Sequence, residues 1–181
     1  MKRLLAAVAA AVALGTVAWV APAAAATSPY CGIRWGSLPK EAGTSSSAHL
    51  TNVRAGQHAC YDRLVLDLDG RAPGYDVSYV NQVTQDGSGF VVPLRGGAKL
   101  QIVARAAAYD STGRATYRPA NRAELVTVAG YRTFRQVAWA GSFEGQTTVG
   151  LGVRARLPFR VFTLAGPGSG SRLVIDVAHR W

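Results

Sequence analysis

The chain has 181 residues, two cysteines, three histidines and a formal net charge of +10, from 20 Lys and Arg against 10 Asp and Glu. That length suits a single domain with an adequate core rather than a multidomain assembly. His49, His58 and His179 have no zinc-type spacing with either cysteine, so a structural metal site fails on ligand count, and no cofactor is signalled.

Lys2 and Arg3 precede an uncharged run over residues 4–20, and a small-residue tract ends in Ala24-Ala25-Ala26 before Thr27. This is the three-part form of a secretory signal, with cleavage predicted after Ala26 and residues 1–26 removed. A retained membrane anchor is the competing reading, but the run is at the short limit for a bilayer and alanine dominates it. A lipid anchor on Cys31 is disfavoured by Ser28-Pro29-Tyr30, which lacks the small and aliphatic residues such a signal needs. After cleavage no transmembrane segment remains.

Residues 27–57 read as an N-terminal arm. Cys31 and Cys60 form an even pair in an exported chain, most simply a disulfide that staples this arm to the domain. Residues 37–48, rich in Ser, Gly and Pro, read as a mobile loop. Trp35 at its foot is expected to plug against the domain, the alternative being a ligand-facing ring.

Residues 63–68 read Arg-Leu-Val-Leu-Asp-Leu and residues 172–177 read Arg-Leu-Val-Ile-Asp-Val, the same alternating strand written twice. Asp67 and Asp176 are expected to pair with arginines across the sheet. Between these copies, residues 75–80 and 98–105 alternate as strands, and further extended segments follow at 124–129, 131–141, 146–154 and 158–165. A polar stretch over 110–123 interrupts the pattern. Gly150 and Gly152 share one face of their strand, where close packing inside the domain is the expected cause. Many short strands with no helical crossover between them predict an all-β fold, an antiparallel β-sandwich of about eight strands, with an internal two-fold suggested by the repeat.

Five segments in order carry a resemblance: Cys60 with residues 61–68, Pro73-Gly74-Tyr75 with residues 76–80, Gly141-Ser142-Phe143-Glu144-Gly145, Pro158 with residues 159–162, and residues 172–179. Together they resemble the AMIN-like domain of exported actinobacterial proteins, over about residues 58–181. That family is similar in turn to the AMIN domain of N-acetylmuramoyl-alanine amidases. The resemblance implies a compact β-sandwich and a non-catalytic, envelope-binding module. Here no amidase or secretin domain accompanies it, which leaves open whether the module binds wall or presents itself to another protein.

Hydrolysis at the wall would need an activated nucleophile, a metal-bound water or two carboxylates at fixed separation, and none is signalled. Gly168-Ser169-Gly170-Ser171 lacks the strand-turn-helix setting of a nucleophile elbow. With the leader removed, 18 basic side chains face 10 acidic ones, and Arg outnumbers Lys by 17 to 3 in the whole chain. Such a surface suits a polyanion, although a GC-rich genome produces the same bias. Export makes nucleic acid an unsuitable partner; wall polymer or an envelope protein remains. Alternation puts Arg135, Val137 and Trp139 on one strand face, where Trp139 stacks a sugar ring and Arg135 holds its anion, unless Trp139 is simply core. Arg154 and Arg160 would extend a basic stripe, and Glu144 is the one acidic residue at a suggestive turn.

Overall fold

The computed structural model describes residues 30–181. The predicted leader and its cleavage point lie outside the described residues. After a single 3-10 turn at Tyr30–Gly32, eleven strands follow. They are β1 (Lys40–Ala42), β2 (Leu50–Gln57), β3 (Tyr61–Leu68), β4 (Tyr75–Val80), β5 (Val83–Thr84), β6 (Val91–Val92), β7 (Ala98–Ala104), β8 (Phe134–Phe143), β9 (Gln146–Val153), β10 (Phe159–Ala165) and β11 (Ser171–Ala178). A five-stranded sheet ordered β1-β4-β7-β9-β8 and a four-stranded sheet ordered β10-β11-β3-β2 are both fully antiparallel, and β5-β6 is a short separate hairpin.

The two sheets sandwich one apolar core. Leu64, Leu66 and Leu68 of β3 and Leu173, Ile175 and Val177 of β11 point inward, as their alternation predicts, to meet Leu100 and Ile102 of β7 and Val149 and Leu151 of β9. Each such side chain contributes roughly 1.5–3 kcal/mol by leaving water. On the outer face of β9 the glycines are a packing requirement: a Cβ on Gly150 would lie 2.8 Å from Leu94, and one on Gly152 would collide with the carbonyl of Arg95. The strap carrying Leu94 and Arg95 therefore lies directly against the sheet.

Strand membership departs from the expectation in two places. Eight strands have six residues or more, but β2 is among them and residues 124–129 are not. In β2 the register shifts between Leu50 and Asn52, so the two core residues Leu50 and Val53 lie three apart and no alternation shows in the sequence. Residues 122–125 instead form a strap along the edge of β8, where Leu125 N donates to Val137 O (2.8 Å) and Trp139 N to Arg122 O (2.7 Å). Residues 50–57, assigned to the arm by sequence, are thus integral to the four-stranded sheet. Nor are residues 37–48 a bare loop: β1 pairs with β4, Ser46 N donates to Arg105 O (2.9 Å) and Ala48 is buried.

The repeated hexads are direct neighbours. Their register sets Arg63 opposite Asp176 and Arg172 opposite Asp67, the arrangement of a local two-fold through the Val65–Val174 pair. The flanking hairpin strands obey it, β2 beside β3 and β10 beside β11. Ion pairing breaks it. Arg63 grips Asp176 through Nε (2.7 Å) and Nη2 (2.9 Å), whereas Asp67 is held by Arg54 (2.8 and 2.9 Å) and Arg172 donates to the carbonyl of Ala165 (2.9 Å). The two-fold organises only this sheet; the other, with five strands, has no matching pair at its centre.

Cys31 and Cys60 are disulfide-bonded, with Cα atoms 6.2 Å apart. The staple brings Trp35 edge-on to Tyr61, ring centroids 5.6 Å apart, on the outer face of the four-stranded sheet.

Candidate functional site

The long β7–β8 connection, residues 105–133, crosses the side of the sandwich where β8 and β2 are the edge strands. It is anchored to β2, since Leu50 N donates to Ala107 O (2.7 Å) and the Thr116 hydroxyl to Leu50 O (2.8 Å). Its tip is an Asx-type turn: the Asp110 carboxylate accepts the Thr112 hydroxyl (2.6 Å) and the amides of Thr112 and Arg114. The Thr112 hydroxyl first, and then those amides and Arg114, hold the Asp110 carboxyl down at about 2.

Between this connection and β8 runs a groove of about 590 Å³. Tyr109, Tyr117 and Trp139 form its aromatic surface, with the rings of Tyr117 and Trp139 5.6 Å apart and tilted by 48°. Burial pushes the Tyr117 hydroxyl above its ordinary pKa, so it remains a neutral donor. Arg118 and Arg122 complete the wall and are exposed. Among the described residues neither guanidinium has a hydrogen-bonding or ion-pair partner, and no carboxylate lines the groove. Four of the ten acids already hold an arginine: Arg54–Asp67, Arg63 and Arg160 on Asp176, Arg95–Glu124 and Arg114–Asp110. Chemically the groove can stack a ring and grip an anion beside it.

Of the residues proposed from sequence, Trp139 alone lines this groove. Arg135 does not join it. The β8 register shifts between Phe134 and Gln136, so Arg135 is the extra residue of a bulge and Phe134 takes the inward position beside Val137 and Trp139. The Arg135 guanidinium turns back onto the carbonyls of Tyr131 (3.0 Å) and Phe134 (2.9 Å), beside a different cavity. Trp139 is both core and wall, partly buried against the apolar cluster and open on its groove side.

Glu144 occupies the first of two left-handed positions, φ 47°, in the two-residue β8–β9 turn, with Gly145 at φ 78°. It is exposed beside Asp86 and caps no amide among the described residues; Gly145 N donates instead to the Tyr109 hydroxyl (3.0 Å). Arg154 clamps the tail by donating to the carbonyl of His179. Arg160 lies on β10, in the other sheet. The expected single stripe of Arg135, Trp139, Arg154 and Arg160 is therefore dispersed over separate surfaces.

Tyr117, Arg118 and Arg122 were hidden within what read as a polar interruption, and Tyr109 stands immediately before it. A legible signal was present: a long connection without strands, in a domain of otherwise short loops, that interleaves Tyr and Arg is a functional-loop pattern.

A family model of the AMIN-like domain matches residues 48–179. The chain belongs to the AMIN-like domain family. The match opens just before β2 and closes just after β11, so it takes in every strand but β1, and the groove, while β1 and the stapled arm with Trp35 precede it. No curated protein and no solved structure is similar to the chain at a meaningful level. Membership marks a cell-envelope-associated module, in a family whose domains are typically non-catalytic. Among the described residues of this AMIN-like chain no helix is long and apolar enough to cross a membrane.

Asp176 ties the outer face of the AMIN-like sandwich together. It is fully buried and accepts three charge-assisted bonds, two from Arg63 and one from Arg160 (2.8 Å). The bond to Asp176 raises the Arg63 pKa further above its ordinary value. Asp176→Ala leaves two cations side by side without their counter-charge. Because both arginines reach solvent and can swing outward, the expected destabilisation is about 2 kcal/mol, below the full cost of a severed buried pair. A urea midpoint unchanged in this variant would refute the assignment.

Proposed function

We propose that this AMIN-like domain binds anionic cell-wall polymer without transforming it. A sugar ring stacks on Trp139 and Tyr117, and Arg118 and Arg122 hold the neighbouring carboxylate or phosphate. The observation that carries this reading is the coincidence, in one groove, of three aromatic rings with two arginines that have no partner among the described residues, and no lining carboxylate among them. The fixed rings supply apolar contact at little entropic cost, and the exposed cations supply attraction that salt screens.

Co-sedimentation with purified sacculi tests it. Retention is expected to fall steeply as salt rises, and Arg118→Gln with Arg122→Gln is expected to weaken binding at least about tenfold, the equivalent of one lost charge-assisted bond. Both positions are exposed, so the double variant should fold normally. Undiminished retention in the double variant would overturn the reading. So would crosslinking in intact cells that attaches the groove to one dominant polypeptide instead of glycan.

A further inference from the structure

The second concentration of arginine and aromatic groups lies on the opposite side of the sandwich. Arg160 belongs to β10, the edge strand farthest from β2, whereas the groove lies beyond the β2 and β8 edges. Its guanidinium is held on three sides. Nε donates to Asp176 Oδ2 (2.8 Å), and the guanidinium carbon stands 4.5 Å from the Trp35 ring centroid, 5.0 Å from Phe162 and 5.5 Å from Tyr61. The side chain is nevertheless 40% exposed. Among the described residues its two terminal nitrogens have no acceptor.

We infer that Arg160 is a second binding site, independent of the groove, for the terminal carboxylate of a peptide. A guanidinium fork already immobilised by a buried carboxylate and stacked rings has lost its rotamer freedom before any ligand arrives. The two outward nitrogens match the two oxygens of a carboxylate. Charge selects a monoanion. Arg63 and Arg160 share the single negative charge of Asp176, leaving one positive charge, which a carboxylate balances and a phosphate dianion would overshoot. The surrounding Trp35, Tyr61 and Phe162 rings offer an apolar bed for the side chain next to that carboxylate. Since the disulfide holds Trp35 in place, this site belongs to the stapled arm as much as to the sandwich.

The test is a titration of the 15N-labelled full chain with N-acetyl-alanyl-alanine, its C-terminal amide, and inorganic phosphate at pH 8, following the indole N–H signals of Trp35 and Trp139 separately. The free acid is expected to shift the Trp35 signal, and the amide to leave it in place. Arg160→Gln is expected to weaken that shift at least about tenfold, and Arg160→Lys, which keeps the charge but loses the fork, to weaken it as well. Arg118→Gln with Arg122→Gln should leave the Trp35 response intact, so that failure of the groove reading and failure of this one are told apart by which indole responds. A Trp35 signal that does not move, moves equally with the amide, or persists in Arg160→Gln overturns the inference. Tighter binding of phosphate than of the free acid overturns the carboxylate assignment.

Discussion

Asp62→Ala is expected to destabilise the domain strongly, as much as truncating a large core side chain. Asp62 is fully buried on β3 and accepts the amides of Thr133 (2.6 Å) and Phe134 (3.0 Å), which lead into β8 of the other sheet. Its second oxygen faces His179 Nε2 (3.1 Å), just past β11. One carboxylate thus joins the two sheets and the C-terminal tail. The tail is further fixed by the Thr133 hydroxyl, which donates to Ala178 O (3.1 Å), and by Arg154 on the His179 carbonyl. Truncation leaves two backbone amides and an imidazole N–H without an acceptor in a site water does not reach. Each orphaned donor costs about 1–3 kcal/mol, so a total of about 4 kcal/mol is expected. For a domain of this size that lowers the melting temperature by roughly 12 °C. Asp62→Asn should recover only part of the loss, because its amide oxygen can still accept both backbone amides while its NH2 replaces the acceptor that faces His179 Nε2. Thermal unfolding by circular dichroism reads the difference, and a shift of only a degree or two for the alanine variant would refute the account.

Loss of the Cys31–Cys60 disulfide is expected to cost nearly as much, by a different route. The bond closes a loop with a sequence separation of 29. Opening it restores about 3–4 kcal/mol of chain entropy to the unfolded state, or roughly 10 °C in melting temperature. The folded state keeps other ties to the arm: β1 stays paired with β4, Gly36 O accepts Phe159 N (2.8 Å) and Ser37 O accepts Arg156 Nη2 (3.1 Å). Most of the sheet structure should therefore survive at room temperature in Cys31→Ser with Cys60→Ser, while Trp35 becomes more mobile over Arg160. A melting temperature within a couple of degrees of the oxidised protein would show that those ties, and not the staple, hold the arm.

The contrast between these two sites shows what was readable before folding. The disulfide pairing followed from two cysteines in an exported-type chain. Asp62 stood next to a recognised strand, but its partners are 71, 72 and 117 residues away, and nothing local to residue 62 announces them. The repeated hexads were legible as strands because their alternation is unbroken, and their pairing with each other then placed Arg63 on Asp176. The failures share one cause. In β2 and in β8 a bulge inserts a residue, so Leu50 and Val53, and likewise Phe134 and Val137, come to one face at a spacing of three. A period-two reading misses the first strand and puts Arg135 on the wrong face of the second.

By itself, the sequence determined that this is a helix-poor, antiparallel AMIN-like module with a stapled arm, because strand alternation, turn residues and cysteine count are local or nearly local properties. Only the tertiary structure decided which arginines are spent and which are available. An arginine is neutralised by whichever carboxylate the sheet register or a loop crossing brings within about 3 Å, and that distance depends on strand order and bulges rather than on neighbours in the chain. Asp67, Asp110, Glu124 and Asp176 consume Arg54, Arg114, Arg95 and Arg63 in this way, while Arg118 and Arg122 beside Trp139, and Arg160 beside Trp35, whose Nε alone is held by Asp176, remain to meet a ligand.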